Sequence, residues 1–293
     1  MNKLVMRILN KLNLLEKVNL IGSITLNNKR FSIPVVGKMG FLNLWMSEQW
    51  MIELLEIVTP ISNGTFIDVG VNTGQTLLKL KSVSTNIKYI GFEPNPTCIY
   101  YVNELIRLND LRDTELVPVG ISSETKVGKL FFYDKSMSDS SASTIEDFRP
   151  GEKIERAEYI PLYDINSINE TLDLNSAGII KIDVEGGELE VLMSFEANIL
   201  NSKPILLLEI LPVYKIENSR RLQRQNKIEQ LFSDWGYSIH RVDKKNEQLI
   251  NVHEIKEIGI HGDLNSCEYV AVPKIKLDEF RKSCLKKLPA FTS

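Results

Sequence analysis

Cysteine is scarce in this chain, and its placement argues against two kinds of scaffold. Cys98, Cys267 and Cys284 are the only cysteines among 293 residues, and no two of them form a C-x-x-C pair. An odd number of widely spaced thiols does not build a disulfide framework, and it does not supply the paired thiolates of a structural zinc site. The cysteine content therefore predicts a protein of a reducing compartment.

An excess of either charge is also missing. Lys and Arg total 35 and Asp and Glu total 38, so the formal net charge is −3. A chain this close to neutrality has no overall field that would attract nucleic acid, and we expect no nucleic-acid partner. The 43% hydrophobic content is sufficient for a large core, in one decorated domain or in two.

Long apolar runs are absent from the first 20 residues, where Lys3, Arg7 and Lys11 interrupt the apolar residues. This pattern predicts neither the core of a signal peptide nor a membrane-spanning helix. Apolar residues recur there at helical spacing from Leu4 to Leu15, beside the basic side chains. Two interpretations stay open: a helix packed on the domain or on a partner subunit, or a helix lying on an anionic membrane surface. We expect a cytoplasmic protein, membrane-associated under the second interpretation.

From Thr65 onward, short apolar runs alternate with helical stretches. The predicted strands include "TFIDVG", "IKYIGFE", "TELVPVG", "AGIIKIDVEG" and "PILLLEI". This alternation predicts an α/β fold in which helices cover both faces of a mostly parallel sheet. A hairpin is predicted through "KLFFYD". Two later strands, "YSIHRV" and "CEYVAVP", are separated by a long polar loop and are expected to pair antiparallel at the sheet edge.

The first 60 residues lack this alternation, and we interpret them as an N-terminal extension. A hairpin is predicted around Asn27-Asn28, followed by a helix from Leu44 to Val58 that Pro60 stops. We therefore divide the chain into an extension at 1–60, a main domain at 61–275 and a basic tail at 276–293.

The segment "FIDVGVNTGQT" marks a candidate ligand site. Asp68 ends an apolar strand, and Gly70 and Gly74 bracket the turn into the next helix. In open parallel sheets, ligands bind beyond the carboxyl ends of the strands, and a helix N-terminus there offers unpaired N–H groups. We expect Asp68, Gly70, Gly74 and the intervening Asn72 and Thr73 to face a cofactor.

The second glycine of the dinucleotide fingerprint G-x-G-x-x-G is missing, since Asn72 occupies its position. The turn is therefore poorly suited to binding a pyrophosphate. Glu93 ends the next strand, where a carboxylate accepts hydrogen bonds from ribose hydroxyls, and Pro94 and Asn95 continue that loop. These features favour a nucleoside without a diphosphate, and S-adenosyl-L-methionine fits. Gly120 and Ile121, after the third strand, complete the predicted cofactor-binding set.

Four segments in order, "FIDVGVNTGQT", "GFEPNP", "IIKIDVEGGELEVL" and "CEYVAVPK", resemble the FkbM-type S-adenosylmethionine-dependent methyltransferases. The resemblance covers roughly residues 45 to 275, and Val71 stands where the family commonly has Ala. It implies a class I methyltransferase fold, Rossmann-like, with a seven-stranded sheet and an antiparallel C-terminal strand. It also implies methyl transfer to oxygen, on sugars, polysaccharide precursors or small natural products.

Three carboxylates are the candidate catalytic residues: Asp183 and Glu185 of "KIDVEGGE", and Glu209 at the end of "LLLLEILP". Asp183 is also expected to contact the cofactor. We hypothesise that Asp183 or Glu209 removes the proton of an acceptor hydroxyl while the other orients it. A divalent metal held by these carboxylates is a rival arrangement that the sequence leaves open. A catalytically silent cofactor-binding or assembly protein and a nicotinamide oxidoreductase are the alternative functions.

Overall fold

The structure is a computed structural model that describes residues 3–136, 138–146, 148–149 and 151–288. The α-helices are α1 (Lys3–Lys11), α2 (Gln49–Val58), α3 (Gln75–Val83), α4 (Pro96–Asn109), α5 (Asn169–Leu172), α6 (Glu188–Ser194), α7 (Glu196–Ser202), α8 (Ser219–Trp235) and α9 (Leu277–Lys287). The strands are β1 (Asn19–Leu26), β2 (Lys29–Val36), β3 (Thr65–Val69), β4 (Tyr89–Phe92), β5 (Thr114–Val117), β6 (Gly120–Ile121), β7 (Lys126–Phe132), β8 (Arg156–Tyr163), β9 (Ala177–Ile182), β10 (Ile205–Glu209), β11 (Tyr237–Lys245), β12 (Gln248–Ile255) and β13 (Glu268–Pro273).

The main sheet of the described residues has the strand order β12-β11-β13-β10-β9-β3-β4-β5. Strands β5, β4, β3, β9 and β10 run parallel to one another, and β13 pairs antiparallel with both β10 and β11. Seven of the strands reproduce the predicted α/β arrangement, including the antiparallel C-terminal strand. Strands β3 and β9 are buried over their full length, as parallel strands covered on both faces should be.

An eighth strand corrects the sequence-based topology. Strand β12 lies within the segment that the sequence predicted as a long polar loop, and it pairs with β11 at the sheet edge. The connection is a tight turn at Asn246-Glu247, where both residues adopt positive φ. The two buried residues of β12, Leu249 and Val252, are three positions apart, so its sequence lacks the regular alternation that predicts a strand. Consequently β11 and β13 do pair, but β13 lies inside the sheet.

The segment "KLFFYD" lies in a strand and the bend after it, but that strand forms no hairpin closed by a local turn. Strand β7 pairs antiparallel with β8, which begins only at Arg156, and the short β6 joins them in a separate three-stranded sheet. The segment "TELVPVG" accordingly divides between β5 of the main sheet and β6 of the small one. A strand partner beyond a long loop leaves no local turn signal in the sequence.

The extension forms the predicted hairpin, in which β1 and β2 pair around Asn27-Asn28. Helix α2 begins at Gln49 instead of Leu44, because a short 3-10 turn over Leu42–Trp45 comes first. The helix ends at Val58, and Pro60 lies in the 3-10 turn that follows it. One apolar cluster joins the extension, the main sheet and the C-terminal helix, with Met6, Phe66 and Phe280 among its fully buried members.

Helix α9 packs on α2, so the basic tail has one buried face. Phe280 and Cys284 are fully buried, and the hydroxyl of Ser283 donates a hydrogen bond to the carbonyl of Ile57 at 2.7 Å. Residues 289–293 of the predicted tail lie outside the described residues. Among the helices of the described residues, none combines the length and the apolar character that crossing a bilayer requires.

Candidate functional site

A cavity of about 370 Å³ lies at the carboxyl ends of β3, β4, β9 and β10. This is the edge at which open α/β sheets bind ligands, and the volume suits a small molecule. The predicted site residues that line it are Gly70, Asn72, Thr73, Glu93, Pro94, Asn95, Gly120, Ile121, Asp183, Glu185 and Glu209. The structure therefore gathers nearly the whole predicted set around one space.

The glycines of the turn after β3 are also required by close packing around them. Gly70 has φ +93°, and a Cβ there would collide with the backbone carbonyl oxygen of Asp183. Gly74 has φ +75°, and its Cβ would press on Leu105 of α4. The glycines are thus required by the contact between β3 and β9 and by helix packing, in addition to any approach of a ligand.

Glu93 connects the two loops that are predicted to bind the cofactor. Its carboxylate is buried and accepts hydrogen bonds from the backbone N–H of Asn72 at 2.7 Å and of Asn95 at 2.8 Å. Burial raises the pKa of Glu93 to about 7, against the lowering effect of these two bonds. Each oxygen keeps a lone pair for a further donor. Asn95 in turn caps α4 by accepting from the backbone N–H of Thr97 at 2.9 Å.

Asp68 lies behind the cavity wall, with no exposed surface. Its carboxylate accepts a hydrogen bond from the Tyr89 hydroxyl at 2.7 Å and lies 3.5 Å from Nζ of Lys181. Burial raises the pKa of Asp68, while Lys181 and Tyr89 oppose that shift. From this position Asp68 supports Lys181 instead of reaching into the cavity.

Lys181 joins the first strand of the site to the catalytic candidates. Its ammonium, almost fully buried, lies 3.0 Å from Oδ2 of Asp183. Burial favours the neutral amine, but the carboxylates of Asp183 and Asp68 outweigh it and raise the pKa of Lys181. The lysine therefore stays charged, and it holds Asp183, the residue that follows β9, beside the cavity.

Glu209 lies beside Asp183 on the neighbouring strand, because Leu208 and Ile182, the residues before them, pair in β10 and β9. The negative charge of Asp183, followed by burial and by Glu268, raises the pKa of Glu209 to about 10. The pKa rises because two adjacent carboxylates cannot both ionise at low cost. Two of the three predicted catalytic residues thus form one unit.

Glu185, the third candidate catalytic residue, is held by hydrogen bonds from a loop. Arg149 donates to its carboxylate at 2.7 Å, and the Ser143 hydroxyl donates to its backbone carbonyl at 2.6 Å. Burial raises the pKa of Glu185 to about 7, and Asp183 adds to the rise while Arg149 opposes it. The serine-rich segment 135–148 is thereby attached to the site, apart from residues 137 and 147, which are not described.

The N-terminal extension supplies site residues that sequence reasoning missed. Buried Asn43 donates to the carbonyl of Thr73 at 2.9 Å, and its amide oxygen accepts from the Thr73 hydroxyl at 3.3 Å and from the Gln75 amide at 3.2 Å. Glu48 forms a hydrogen-bonded ion pair with buried Lys79 of α3. Spacing within the extension gave no signal for either contact, because both depend on how it packs over the glycine turn.

Opposite Glu93, the cavity has a wall built from α2 and the C-terminal strands. Trp50, Met51 and Leu54 of α2 contribute apolar surface, and Glu268 lies directly across from Glu209 in the β10–β13 pair. Lys244 lies 3.4 Å from Glu268 and 4.5 Å from the ring centre of Trp50. Within the described part of the chain, no group of three or more His, Cys, Asp or Glu side chains is placed to hold a metal ion.

Sequence comparison assigns the family. The sequence profile of the Methyltransferase FkbM domain matches residues 68–239, more than half of the chain. The chain belongs to the FkbM methyltransferase family. This assignment confirms the resemblance carried by the motifs around Asp68, Glu93 and Asp183, and the strand order of the main sheet agrees with it. A comparison with curated proteins finds no significant match.

Several solved structures of methyltransferases are similar to this chain at low sequence identity. The FkbM methyltransferase of Methylobacillus flagellatus KT is 17% identical with a TM-score of 0.44, over 71% of this chain and 43% of that protein. Precorrin-6y C5,15-methyltransferase of Geobacter metallireducens GS-15 is 12% identical with a TM-score of 0.40, over 76% and 87%. The SAH-bound methyltransferase PaMTH1 of Podospora anserina is 10% identical with a TM-score of 0.43, over 77% and 76%. The family assignment rests on the FkbM sequence match alone.

Proposed function

We propose that this FkbM-family chain is an S-adenosylmethionine-dependent methyltransferase. It methylates a hydroxyl oxygen of a sugar, a polysaccharide precursor or a small natural product. The observation that carries the proposal is that Glu93, a carboxylate suited to ribose, and Asp183, a carboxylate suited to proton removal, line the same cavity. The alternatives, a nicotinamide oxidoreductase and a silent binding protein, have no comparable observation in their favour.

The residues of the cavity fit this cofactor. The free lone pairs of Glu93 suit ribose hydroxyls, and the turn from Asn72 to Gly74 provides backbone groups at the start of α3. Ile121, on β6, supplies apolar surface for a base. S-adenosylmethionine, when bound, would supply an activated methyl group on a positively charged sulfonium, which the acidic lining favours.

Asp183 is the residue that would remove the proton from the acceptor. Asp183 would accept the proton of the acceptor hydroxyl as the oxygen forms its bond to the methyl carbon and the carbon–sulfur bond breaks. Lys181 holds the carboxylate in place at 3.0 Å. Glu209, whose pKa the charge of Asp183 raises, would donate a hydrogen bond to Asp183 and orient it. A placed base of this kind contributes roughly 100- to 10,000-fold to the rate.

The acceptor would occupy the wall opposite Glu93. Trp50 and Met51 offer apolar contact there, and Glu268 offers a hydrogen-bond acceptor for further hydroxyl groups. Burial, opposed by Lys244, raises the pKa of Glu268 to about 7. Several neighbouring acids make this wall better suited to an uncharged polyhydroxyl acceptor than to a phosphorylated one.

Calorimetry tests the cofactor. S-adenosylmethionine and S-adenosylhomocysteine should bind with micromolar affinity, about −8 kcal/mol, and NAD should not. Glu93→Ala should weaken binding by roughly 1.5–3 kcal/mol, because charge-assisted hydrogen bonds are lost. Binding of NAD alone, or unchanged affinity in the variant, would contradict the assignment.

An acceptor screen tests the reaction. Hydroxyl-bearing sugars and small natural products are incubated with S-adenosylmethionine, and S-adenosylhomocysteine is measured with and without a chelator. Acceptor-dependent product that survives chelation supports the carboxylate base. Loss of turnover with chelator and recovery with magnesium would instead support the metal alternative. Cofactor binding without turnover on any acceptor class would favour the silent binding protein.

A further inference from the structure

The outer face of helix α1 is apolar and exposed. Met6 is fully buried, whereas Leu4, Ile8 and Leu12 are 61%, 49% and 60% exposed. At 3.6 residues per turn these three side chains, together with Val5, lie within an arc of about 100°. The backbone N–H of Leu12 donates to the carbonyl of Ile8 at 3.0 Å, so this arc continues past the last helical residue.

Apolar surface continues beside the helix. Leu14, which follows α1, is 39% exposed, and Leu42 is 74% exposed. Leu42 belongs to the 3-10 turn that also contains Leu44 and Trp45. That turn is adjacent to α1, because the guanidinium of Arg7 lies 5.1 Å from the ring centre of Trp45. Leaving such large apolar side chains clustered and exposed to water is unfavourable, and contiguous apolar surface of this kind marks an interaction site.

The charge beside this surface has one sign. Helix α1 has the sequence KLVMRILNK, which contains three basic residues and no acidic one, although the whole chain is slightly acidic. Arg7 and Lys11 fall on the same side of the apolar arc, since they are one helical turn apart. An exposed apolar face with a basic flank is the pattern of a helix lying in the plane of a membrane surface.

Charge also argues against a second copy of this chain as the occupant. A symmetric dimer through α1 would place the same basic flank of both copies at one interface, where like charges repel. Nucleic acid would satisfy the charge of Arg7 and Lys11, but it would leave Ile8 and Leu12 without an apolar partner. An anionic lipid surface satisfies both the apolar arc and the basic flank.

We infer that α1 is a membrane-surface anchor, which lays Leu4, Val5, Ile8 and Leu12 among the lipids of an anionic leaflet while Arg7 and Lys11 face the headgroups. The anchor is close to the catalytic cavity. Met6 and Leu44 lie against the same backbone position, Gly22, and the neighbouring Asn43 holds the glycine turn. Docking would thus bring the cavity to the membrane surface, independently of which acceptor it uses.

Vesicle co-sedimentation of the full chain tests this inference. Phosphatidylcholine vesicles containing phosphatidylglycerol should bind the protein at low salt and release it as salt rises, and pure phosphatidylcholine should bind it poorly. The double variant Ile8→Glu, Leu12→Glu should lower the partition coefficient at least ~10-fold. Lys11→Glu should lower it on anionic vesicles only.

Matched controls separate the anchor from general surface effects. Leu264 is 58% exposed on a distant 3-10 turn, and Leu264→Glu should leave vesicle binding unchanged. Circular dichroism confirms folding of each variant, and light scattering follows the mass in solution. Equal binding to both vesicle types, no effect of the Ile8 and Leu12 substitutions, or a fall in mass with those substitutions and no vesicle binding would each overturn the inference.

Discussion

Asp183 and Glu209 lie side by side, each one residue beyond the paired Ile182 of β9 and Leu208 of β10. The charge of Asp183 raises the pKa of Glu209 to about 10. Lys181 donates to Asp183 at 3.0 Å. The proposed function gives this pair a polarity, with Asp183 as the base and Glu209 as the hydrogen-bond donor that orients it.

This polarity predicts unequal effects of two similar substitutions. Asp183→Asn removes the base and should lower turnover at least ~100-fold, while the affinity for S-adenosylmethionine changes little. Glu209→Gln keeps a donor toward Asp183 and should change turnover by less than about tenfold. The measurement is the rate of S-adenosylhomocysteine formation with the acceptor identified by screening.

Glu209→Ala is the matched control for that pair, because it removes the donor and leaves Asp183 with one partner fewer. We expect a larger loss of turnover than in Glu209→Gln. A greater loss in Glu209→Gln than in Asp183→Asn would show that the roles are reversed and that Glu209 is the base.

Cofactor affinity should depend on pH through Glu93. Burial raises the pKa of this carboxyl from 4.5 to about 7, so in the free protein it is partly protonated near neutrality. Ribose hydroxyls bind the ionised form, and binding should therefore release a proton at pH 7 and strengthen as pH rises through that value. Below the pKa, each pH unit should cost up to about tenfold in affinity.

Calorimetry in two buffers of different ionisation enthalpy measures the proton release directly. Glu93→Gln is the control, since it cannot titrate, and its weaker affinity should be flat over the same range. Glu185, Glu188 and Glu268 also have a pKa raised to about 7. A pH dependence that survives in Glu93→Gln would therefore assign the effect to one of them.

Much of the fold was predictable because its signals are local. Buried parallel strands such as β3 and β9 appear as continuous apolar runs, and the hairpin turn at Asn27-Asn28 uses two residues that tolerate positive φ. The errors arose where pairing is remote or the strand pattern is irregular. Strand β7 has a partner beyond a long loop, and β12 is an edge strand whose buried residues do not alternate with exposed ones.

The candidate site was also predictable only in part from the sequence. Glu93 and Asp183 follow directly after strands, so the parallel sheet alone brings them to one edge. Their surroundings do not follow from spacing along the chain. The raised pKa of Glu209 depends on the charge of Asp183 on the neighbouring strand, and the ion pair of Glu185 with Arg149 depends on how a loop folds back. Asn43 was missed because nothing in its neighbourhood along the chain resembles a site.

The attachment of segment 135–148 should depend on Gly186. This residue has φ +102°, and a Cβ there would collide with the ring of Phe148. Gly186→Ala should therefore destabilise the protein by at least about 1–3 kcal/mol and expose the segment to protease. Urea denaturation and the rate of proteolytic cleavage between residues 135 and 148 measure the two effects.

Gly187→Ala is the neighbouring control. Gly187 has φ −89°, and its nearest contact for an added Cβ is Val184 at 3.3 Å. We expect a loss of no more than about 1 kcal/mol and no change in cleavage rate. Equal behaviour of the two variants would mean that the segment is held by Ser143 and Arg149 without help from the Phe148 contact.

Asn43 should couple the extension to cofactor binding. It is buried and bonded to Thr73, Gln75 and the Tyr101 hydroxyl, so Asn43→Ala leaves several polar groups without a partner. The variant should lose about 1–3 kcal/mol of stability in urea denaturation. It should also bind S-adenosylmethionine more weakly, because Thr73 belongs to the glycine turn.

Asn198 provides the comparison that isolates this coupling. Its side chain is equally buried and donates to Asn169 at 3.1 Å and Asn175 at 3.0 Å, in contacts that involve α5 and α7 and not the glycine turn. Asn198→Ala should therefore destabilise the protein by a similar amount and leave the affinity for S-adenosylmethionine unchanged. If both variants lose affinity equally, the effect of Asn43→Ala is one of general stability, and the extension does not position the turn.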